Sequence, residues 1–367
     1  MADRQDGVIV HDSGRAWPGY TLFAESVEDP KAVADGRGKI RLIDMEGAVV
    51  HEWYAETALQ SHCRLLPSGN VIYPTRDRSM VTRAGLRELN DASETVWYYH
   101  CWVDHDFQIL GDGNLLIHTI TDYPWPELGP GLKRHPRVLE VNREQEVLWQ
   151  WRGEEHLAEL EALLEPEHWT FLQERVRGKF RFDWAHNNTC QVIPPNEAAE
   201  KEAAAGDPVR FKPGNIVFSY RSLDIIGVID RPSGEIVWAW GPGVIDGQHK
   251  PHMLPSGRIL VFDNGTLRGY SRVIEVDPLT GDIEWEYTSE PKEDFLSRYI
   301  SGAQRLPNGN TLICSGGQTR LFEVTPEGDV VWDFLYPWHE EGALNSVYRC
   351  KRYSEEHCRG LLDRLRK

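Results

Sequence analysis

The sequence has no apolar run of about 18 residues, so no helix is expected to cross a membrane. Its start, MADRQDGVIVHDSGRAW, lacks a basic cluster leading into an apolar core; a secretory signal is not expected and the chain reads as cytoplasmic. Positive charge is scarce: 40 Lys and Arg face 57 Asp and Glu, a net charge of −17. That balance argues against nucleic acid or an anionic membrane as a partner. It leaves room for a small anion, because one local cluster of Arg or His can reverse the field inside a pocket. The six cysteines (Cys63, Cys101, Cys190, Cys314, Cys350 and Cys358) include no Cys-x-x-Cys pair, and most lie in strand-like sequence. They read as reduced, buried thiols rather than disulfides or zinc ligands.

What the chain does have is 14 tryptophans and a repeat. A strand ending in an acid or polar residue, a turn, then a strand carrying an aromatic occurs as KIRLIDMEGAVVHEWY (39–54), GLRELNDASETVWYY (85–99) and RVLEVNREQEVLWQW (137–151). It returns as IIGVIDRPSGEIVWAW (225–240), RVIEVDPLTGDIEWEY (272–287) and RLFEVTPEGDVVWDF (320–334). Between copies runs a second motif, an apolar strand, a Leu-Pro-x-Gly-Asn-like turn and another apolar strand, as in CRLLPSGNVIY and HMLPSGRILVF. Four strands in each of six units give an all-β, six-bladed β-propeller. GYTLFAE (19–25) and LNSVYRCKRY (344–353) supply the strands that complete one blade and close it over residues 19–353. Residues 1–18 are an N-terminal extension, 154–180 a helical insert, 195–212 a solvated loop and 354–367 a C-terminal helix. The outer-hairpin tryptophans are expected in the core.

Aligned on the Leu-Pro turn, the inner strands carry a polar residue five positions earlier: Ser61, His105, Asn188, His249 and Ser301, with Asn345 by looser alignment. His186 lies two residues before Asn188. In a propeller such positions face the channel, so a polar ring with three histidines is expected at one mouth. One histidine at a strand start is more often structural; three on one register favour function. His252, further along its strand, reads as structural, and His62 is given no role. Arg221, ending an apolar strand, calls for an anionic partner, either a nearby Asp such as Asp224 or a ligand oxyanion.

These stretches resemble the bacterial arylsulfate sulfotransferases, six-bladed propellers that move a sulfuryl group between phenols without a nucleotide donor. The likeness lies in HDFQILGDGN, DWAHNNTCQVI, GNIVFSYRSLDIIGVID and GQHKPHMLPSGRILVFDNG, and it spans roughly residues 19–353. The resemblance implies that His249 is a nucleophile passing through a sulfohistidine, and that His105, His186, Asn188 and Arg221 hold the sulfuryl oxygens and assist proton transfer. It implies a small sulfate-ester donor, a hydroxyl acceptor and no metal or organic cofactor. The members that define the activity are longer and exported, with an extra N-terminal β domain and a disulfide near the nucleophile, features not found in this sequence. The natural donor and acceptor are not legible, nor is the oligomeric state, a homo-oligomer included. Pockets for the substrates are expected in loops such as TDYPWPELGPGLKRHP (121–136).

Two other readings remain open at the level of sequence. His105, His186 and His249 have the composition of a three-His metal site of a lyase or hydrolase. A propeller that binds a ligand without turnover is the third.

Overall fold

A computed structural model describes residues 6–27, 38–55, 59–75, 84–170, 182–338 and 345–366. It shows six antiparallel sheets on the four-stranded plan, the blades of a six-bladed β-propeller. The chain divides into two compact units, one of Met1–Val103 with Tyr299–Lys367 and one of Asp104–Arg298.

The first unit holds three blades. One joins the two ends of the chain: Asn345–Tyr353 pairs with Tyr20–Val27, which pairs with Gly38–Ile43 and then Val49–Ala55. The expected closing pair is therefore present, with Tyr20 opposite Tyr353. The next blade runs Arg64–Leu65, Val71–Thr75, Gly85–Leu89 and Thr95–His100. The third runs Gly302–Arg305, Thr311–Ser315, Arg320–Val324 and Val330–Leu335. Here the N-terminal extension adds something the repeat did not foretell: Gly7–His11 pairs with Val330–Leu335 as a fifth strand. The C-terminal helix Glu355–Leu365 starts at Ser354, whose Oγ accepts the His357 N–H at 3.2 Å.

The second unit holds the other three blades in sequence order. They are Val103–Ile109 through Val147–Arg152, Asn187–Val192 through Ile236–Trp240, and His249–Met253 through Ile283–Tyr287. Two apolar clusters glue them. Leu116, Val138, Trp151, Phe218 and Ile229 belong to one; Val217, Val228, Trp238, Val261 and Ile274 belong to the other.

The repeat has a local cause at each hairpin. Asp44, Asp230 and Asp277 end their strands because each side chain accepts a backbone N–H just ahead, from Ala48, Ser233 and Leu279 respectively. The aromatic strand then delivers an indole to the next blade. Trp151 Nε1 donates to the Gly234 carbonyl at 2.8 Å, and Trp238 Nε1 to that of Pro278 at 3.1 Å. Trp53, Trp151, Trp238 and Trp332 are buried as expected, whereas Trp97, Trp149, Trp240 and Trp285 are only half-buried.

Two inserts differ in detail. The segment 154–180 contains the helix Leu157–Leu163, which buries Leu160; residues 171–181 lie outside the described residues. The stretch 195–212, expected as a solvated loop, holds the helix Glu197–Ala205. Asn196 caps it by accepting the Ala199 N–H at 3.0 Å, and Ala198, Ala199 and Glu202 are buried, so the helix packs instead of floating. Gly257 lets it approach: a Cβ there would lie 2.4 Å from the Ala198 backbone nitrogen.

Candidate functional site

The polar residues of the second unit come from the starts of its three inner strands, where the backbone departs from regular pairing. Register shifts fall between Asn187 and Cys190 and between His249 and His252. His105, His186 and Lys250 adopt left-handed φ values of 46°, 48° and 53°. Such angles cost a non-glycine residue stability, and bulges re-aim side chains. Here they turn successive side chains in opposite directions: His249 toward one set of partners, Lys250 toward another.

Lys250 supplies what holds the strands in place. Its Nζ donates to both oxygens of Asp106 at 2.9 Å, and Asp106 is completely buried. The same carboxylate accepts the Cys190 N–H and the Gln191 Nε2–H, each at 2.9 Å. One carboxylate thus ties all three inner strands, and its neighbour in sequence is His105. Asn188 adds a second tie, donating from Nδ2 to the Gln248 carbonyl at 2.7 Å.

Short contacts join neighbouring pairs among the candidate residues and the strands that carry them. The His105 and His186 rings lie 4.5 Å apart between centroids. The backbone N–H of Arg221 donates to the His186 carbonyl at 3.3 Å, at the start of the short helix Arg221–Leu223. The Arg221 side chain reaches toward Gly247, two residues before His249: a Cβ on Gly247 would lie 3.8 Å from Arg221 Nη2 and 3.2 Å from Thr266 Oγ1. Gly247 has φ +69° and leaves this space open. Arg221 Nη2 also donates to the Arg298 carbonyl at 3.3 Å, while Asp224, its suggested partner, accepts the Gly247 N–H at 2.8 Å.

Each histidine has a defined partner. His186 Nδ1 lies 2.7 Å from Asp183 Oδ2, and Asp183 Oδ1 accepts the His186 backbone N–H at 3.0 Å. Burial is the largest single influence on the Asp183 carboxyl and raises it, but the hydrogen bonds and charge of His186 together with the charge of Arg134 hold the group below the usual carboxylate range. His105 Nε2 lies 3.4 Å from Asp104 Oδ2. His249 is buried, with Nδ1 at 2.7 Å from Asn264 Oδ1 and 3.2 Å from the Gly247 carbonyl. His252, read as structural, has Nδ1 at 3.2 Å from the Lys250 carbonyl. Ser61 and Ser301, on the same repeat register, are buried in the other unit, and the side chain of Asn345 lies outside the described residues.

Behind the site, His118 Nδ1 donates to the Asp104 carbonyl at 2.9 Å. Burial pushes its imidazole down to about 4, so it is neutral at pH 7. Between its ordinary value and about 4 the unfolded chain holds this proton and the folded chain does not, so the contribution falls as pH is lowered through that window. The loss reaches about 3 kcal/mol at the acid end. His118→Gln is expected to lose less stability than wild type between pH 7 and pH ~4.5 in urea unfolding; equal losses would contradict the assignment.

A family model described as arylsulfotransferase (ASST) matches residues 71–337, a span that contains His105, His186, Asn188, Arg221 and His249. The chain belongs to the arylsulfotransferase family. Among solved structures, a protein of unknown function from Bacteroides caccae aligns with a TM-score of 0.56 at 15% identity, over 92% of this chain and 99% of that one. That likeness is one of fold. A catalytically inactive virginiamycin B lyase from Staphylococcus aureus, solved with quinupristin, aligns with a TM-score of 0.46 at 8% identity, over 90% of this chain and 88% of that one. No curated protein matches the chain.

Further observations refine the candidate site in this member of the arylsulfotransferase family. The 121–136 segment is not a loop: Leu115–Pro124 and Leu132–Val141 run through it as one long hairpin. Its aromatics pack on protein, Tyr123 against His135 at 3.8 Å and Trp125 against Trp184 at 5.5 Å between centroids. Arg134 from this hairpin grips Asp122 with two bonds of 3.1 Å and lies under the exposed ring of Phe182, beside Asp183. Among the described residues no group of three His, Cys, Asp or Glu side chains is placed to hold a metal ion, so the three-His metal reading finds no support in the donor geometry. Sequence reasoning missed Asp104, Asp106, Asp183, Lys250 and Asn264. The first four leave a trace in VDHD, DWAH and QHK, acids and a base set beside the chosen histidines; Asn264 leaves none, because it comes from the end of a different strand.

Proposed function

We propose that the protein is a nucleotide-independent sulfotransferase that moves a sulfuryl group from an aryl or similar small sulfate ester to a hydroxyl acceptor through sulfo-His249. The observation that carries this reading is the tautomer of His249. Both neighbours of Nδ1, the Asn264 Oδ1 and the Gly247 carbonyl, are acceptors. Nδ1 must therefore carry the proton, and the lone pair is on Nε2.

In the first half-reaction Nε2 attacks sulfur, the S–O bond to the aryl group breaks with its electrons going to the phenolate oxygen, and an imidazolium of the His105–His186 pair protonates that oxygen. In the second half-reaction the neutralised imidazole takes the proton of the acceptor hydroxyl as its oxygen attacks sulfur, and the N–S bond electrons return to Nε2. Charge collects on the sulfuryl oxygens throughout, as in phosphoryl transfer, so donors fixed in advance matter more than covalent chemistry. Arg221 offers a planar fork for two such oxygens and Asn188 a carboxamide N–H. Asp183 steadies His186 on Nδ1 and turns Nε2 outward for proton transfer.

The test is kinetic. With 4-nitrophenyl sulfate as donor and phenol as acceptor, double-reciprocal plots are expected to be parallel, and without acceptor nitrophenol is expected in a burst of one equivalent per active site. Intersecting lines with no burst would overturn a covalent intermediate.

A further inference from the structure

His105, His186 and His249 come from three inner strands tied together by Asp106, and their partners differ in charge. His186 rests on the Asp183 carboxylate at 2.7 Å and His105 lies 3.4 Å from that of Asp104. His249 has its Nδ1 on neutral oxygens, the Asn264 carboxamide and the Gly247 carbonyl. A carboxylate favours imidazolium, which has no lone pair to attack with, and equips a histidine to give up a proton. A carboxamide fixes the tautomer without drawing in a proton.

Asn264 is itself immobilised. Its Nδ2 donates to the Ser297 carbonyl at 2.7 Å, which forces Oδ1 toward His249. Its own carbonyl accepts the Ser271 hydroxyl at 2.8 Å, and that hydroxyl accepts the Ser297 N–H at 2.9 Å. Asn264, Ser271 and Ser297 are all buried. The carboxamide could not rotate to present its NH2 to His249 without setting Oδ1 against the Ser297 carbonyl.

We propose that Asn264 is the positioning residue that assigns the nucleophilic role to His249, and that the choice of Asn over Asp there keeps this imidazole unprotonated while the Asp-paired His186 and His105 handle protons. The assignment of roles rests on the sulfotransferase reading; the effect of Asn264 on the His249 ring does not. Charged groups on the neighbouring elements have partners of their own. Lys250 is matched by Asp106, Asp263 by Arg268 and Arg272, and Asp246 and Asp224 accept backbone N–H groups. Arg221, facing Gly247, opposes protonation of the ring.

The experiment is an NMR titration of the His249 imidazole in substrate-free protein, wild type against Asn264→Asp, with nitrophenol-burst rates measured across the same pH range. Wild-type His249 is expected to carry its proton on Nδ1. In Asn264→Asp, an isosteric change that keeps the acceptor, the ring is expected to titrate about one pH unit or more higher, and the acid limb of the burst rate to move with it. Asn264→Ala is expected to slow the burst about 10–100-fold with little change in KM. A wild-type ring protonated on Nε2, or an Asn264→Asp ring that titrates as in wild type, would overturn the proposal, and the wild-type spectrum decides even if neither variant folds. Because the titration needs no substrate, absence of a burst in wild type with the NMR results as expected would count against the sulfotransferase reading and leave the positioning role of Asn264 standing.

Discussion

Exchange of His249 for alanine is expected to lower turnover of 4-nitrophenyl sulfate by at least about 10³-fold. His186 and His105 are poor substitutes because each lies against a carboxylate, Asp183 and Asp104, and a carboxylate favours the protonated ring, which has no lone pair to attack with. Loss of either helper removes proton transfer but leaves the attacking nitrogen, so His105→Ala and His186→Ala are expected to cost less, about 10²-fold each. Removing His249 also leaves Asn264 Oδ1 and the Gly247 carbonyl without their donor, a stability cost of about 1–3 kcal/mol that circular dichroism and thermal unfolding will register without loss of fold. A His249→Ala protein that retains a tenth of wild-type turnover would remove His249 from the chemistry.

The second large effect concerns stability. Asp106 and Lys250 form a buried ion pair in which the carboxylate also satisfies two groups of the neighbouring inner strand. Deleting one member of such a pair strands the other's charge, at a cost of about 3–5 kcal/mol. Lys250→Met and Asp106→Ala are each expected to lower the thermal midpoint by on the order of 10 °C. Asp106→Ala should cost more, because the Cys190 N–H and Gln191 amide lose their acceptor as well. The double variant Asp106→Asn with Lys250→Met keeps an acceptor for Cys190 and removes both charges; set against the single variants Asp106→Asn and Lys250→Met it is expected to recover part of their summed loss, a positive coupling in a double-mutant cycle. Additive losses would mean that the pair is not a unit. Activity should fall along with stability, since the strands so tied present His105 and His249.

How much of this was legible in the sequence follows from the physics of each feature. The blades were legible because each hairpin repeats a local cause, an Asx turn after an alternating strand and an indole that reaches the next blade. His105, Asn188 and His249 stand out because the repeat puts them on one register, where a polar residue in an apolar strand is conspicuous; His186, two residues off that register, and Arg221, at the end of another strand, stand out less by pattern than by the family resemblance. The fifth strand at Gly7–His11 was not, since it pairs with residues more than 300 positions away and its pattern has no counterpart in the repeat. The helix Glu197–Ala205 was taken for a solvated loop because its charged residues masked a buried alanine face. The Asp106–Lys250 pair and the Asn264 contact are tertiary: Asp106 and Lys250 are 144 residues apart and meet only once three strands are side by side. Hydrophobic pattern has no means of showing that.

The central claim, that His249 Nε2 takes the sulfuryl group, is tested most directly by intact-protein mass spectrometry a few seconds after mixing with 4-nitrophenyl sulfate and no acceptor. The account predicts a gain of about 80 Da, one sulfuryl group, with one equivalent of nitrophenol, the adduct lost on adding phenol and never formed by His249→Ala. Steady nitrophenol release from a wild-type protein of unchanged mass, or the same adduct on His249→Ala, would contradict it.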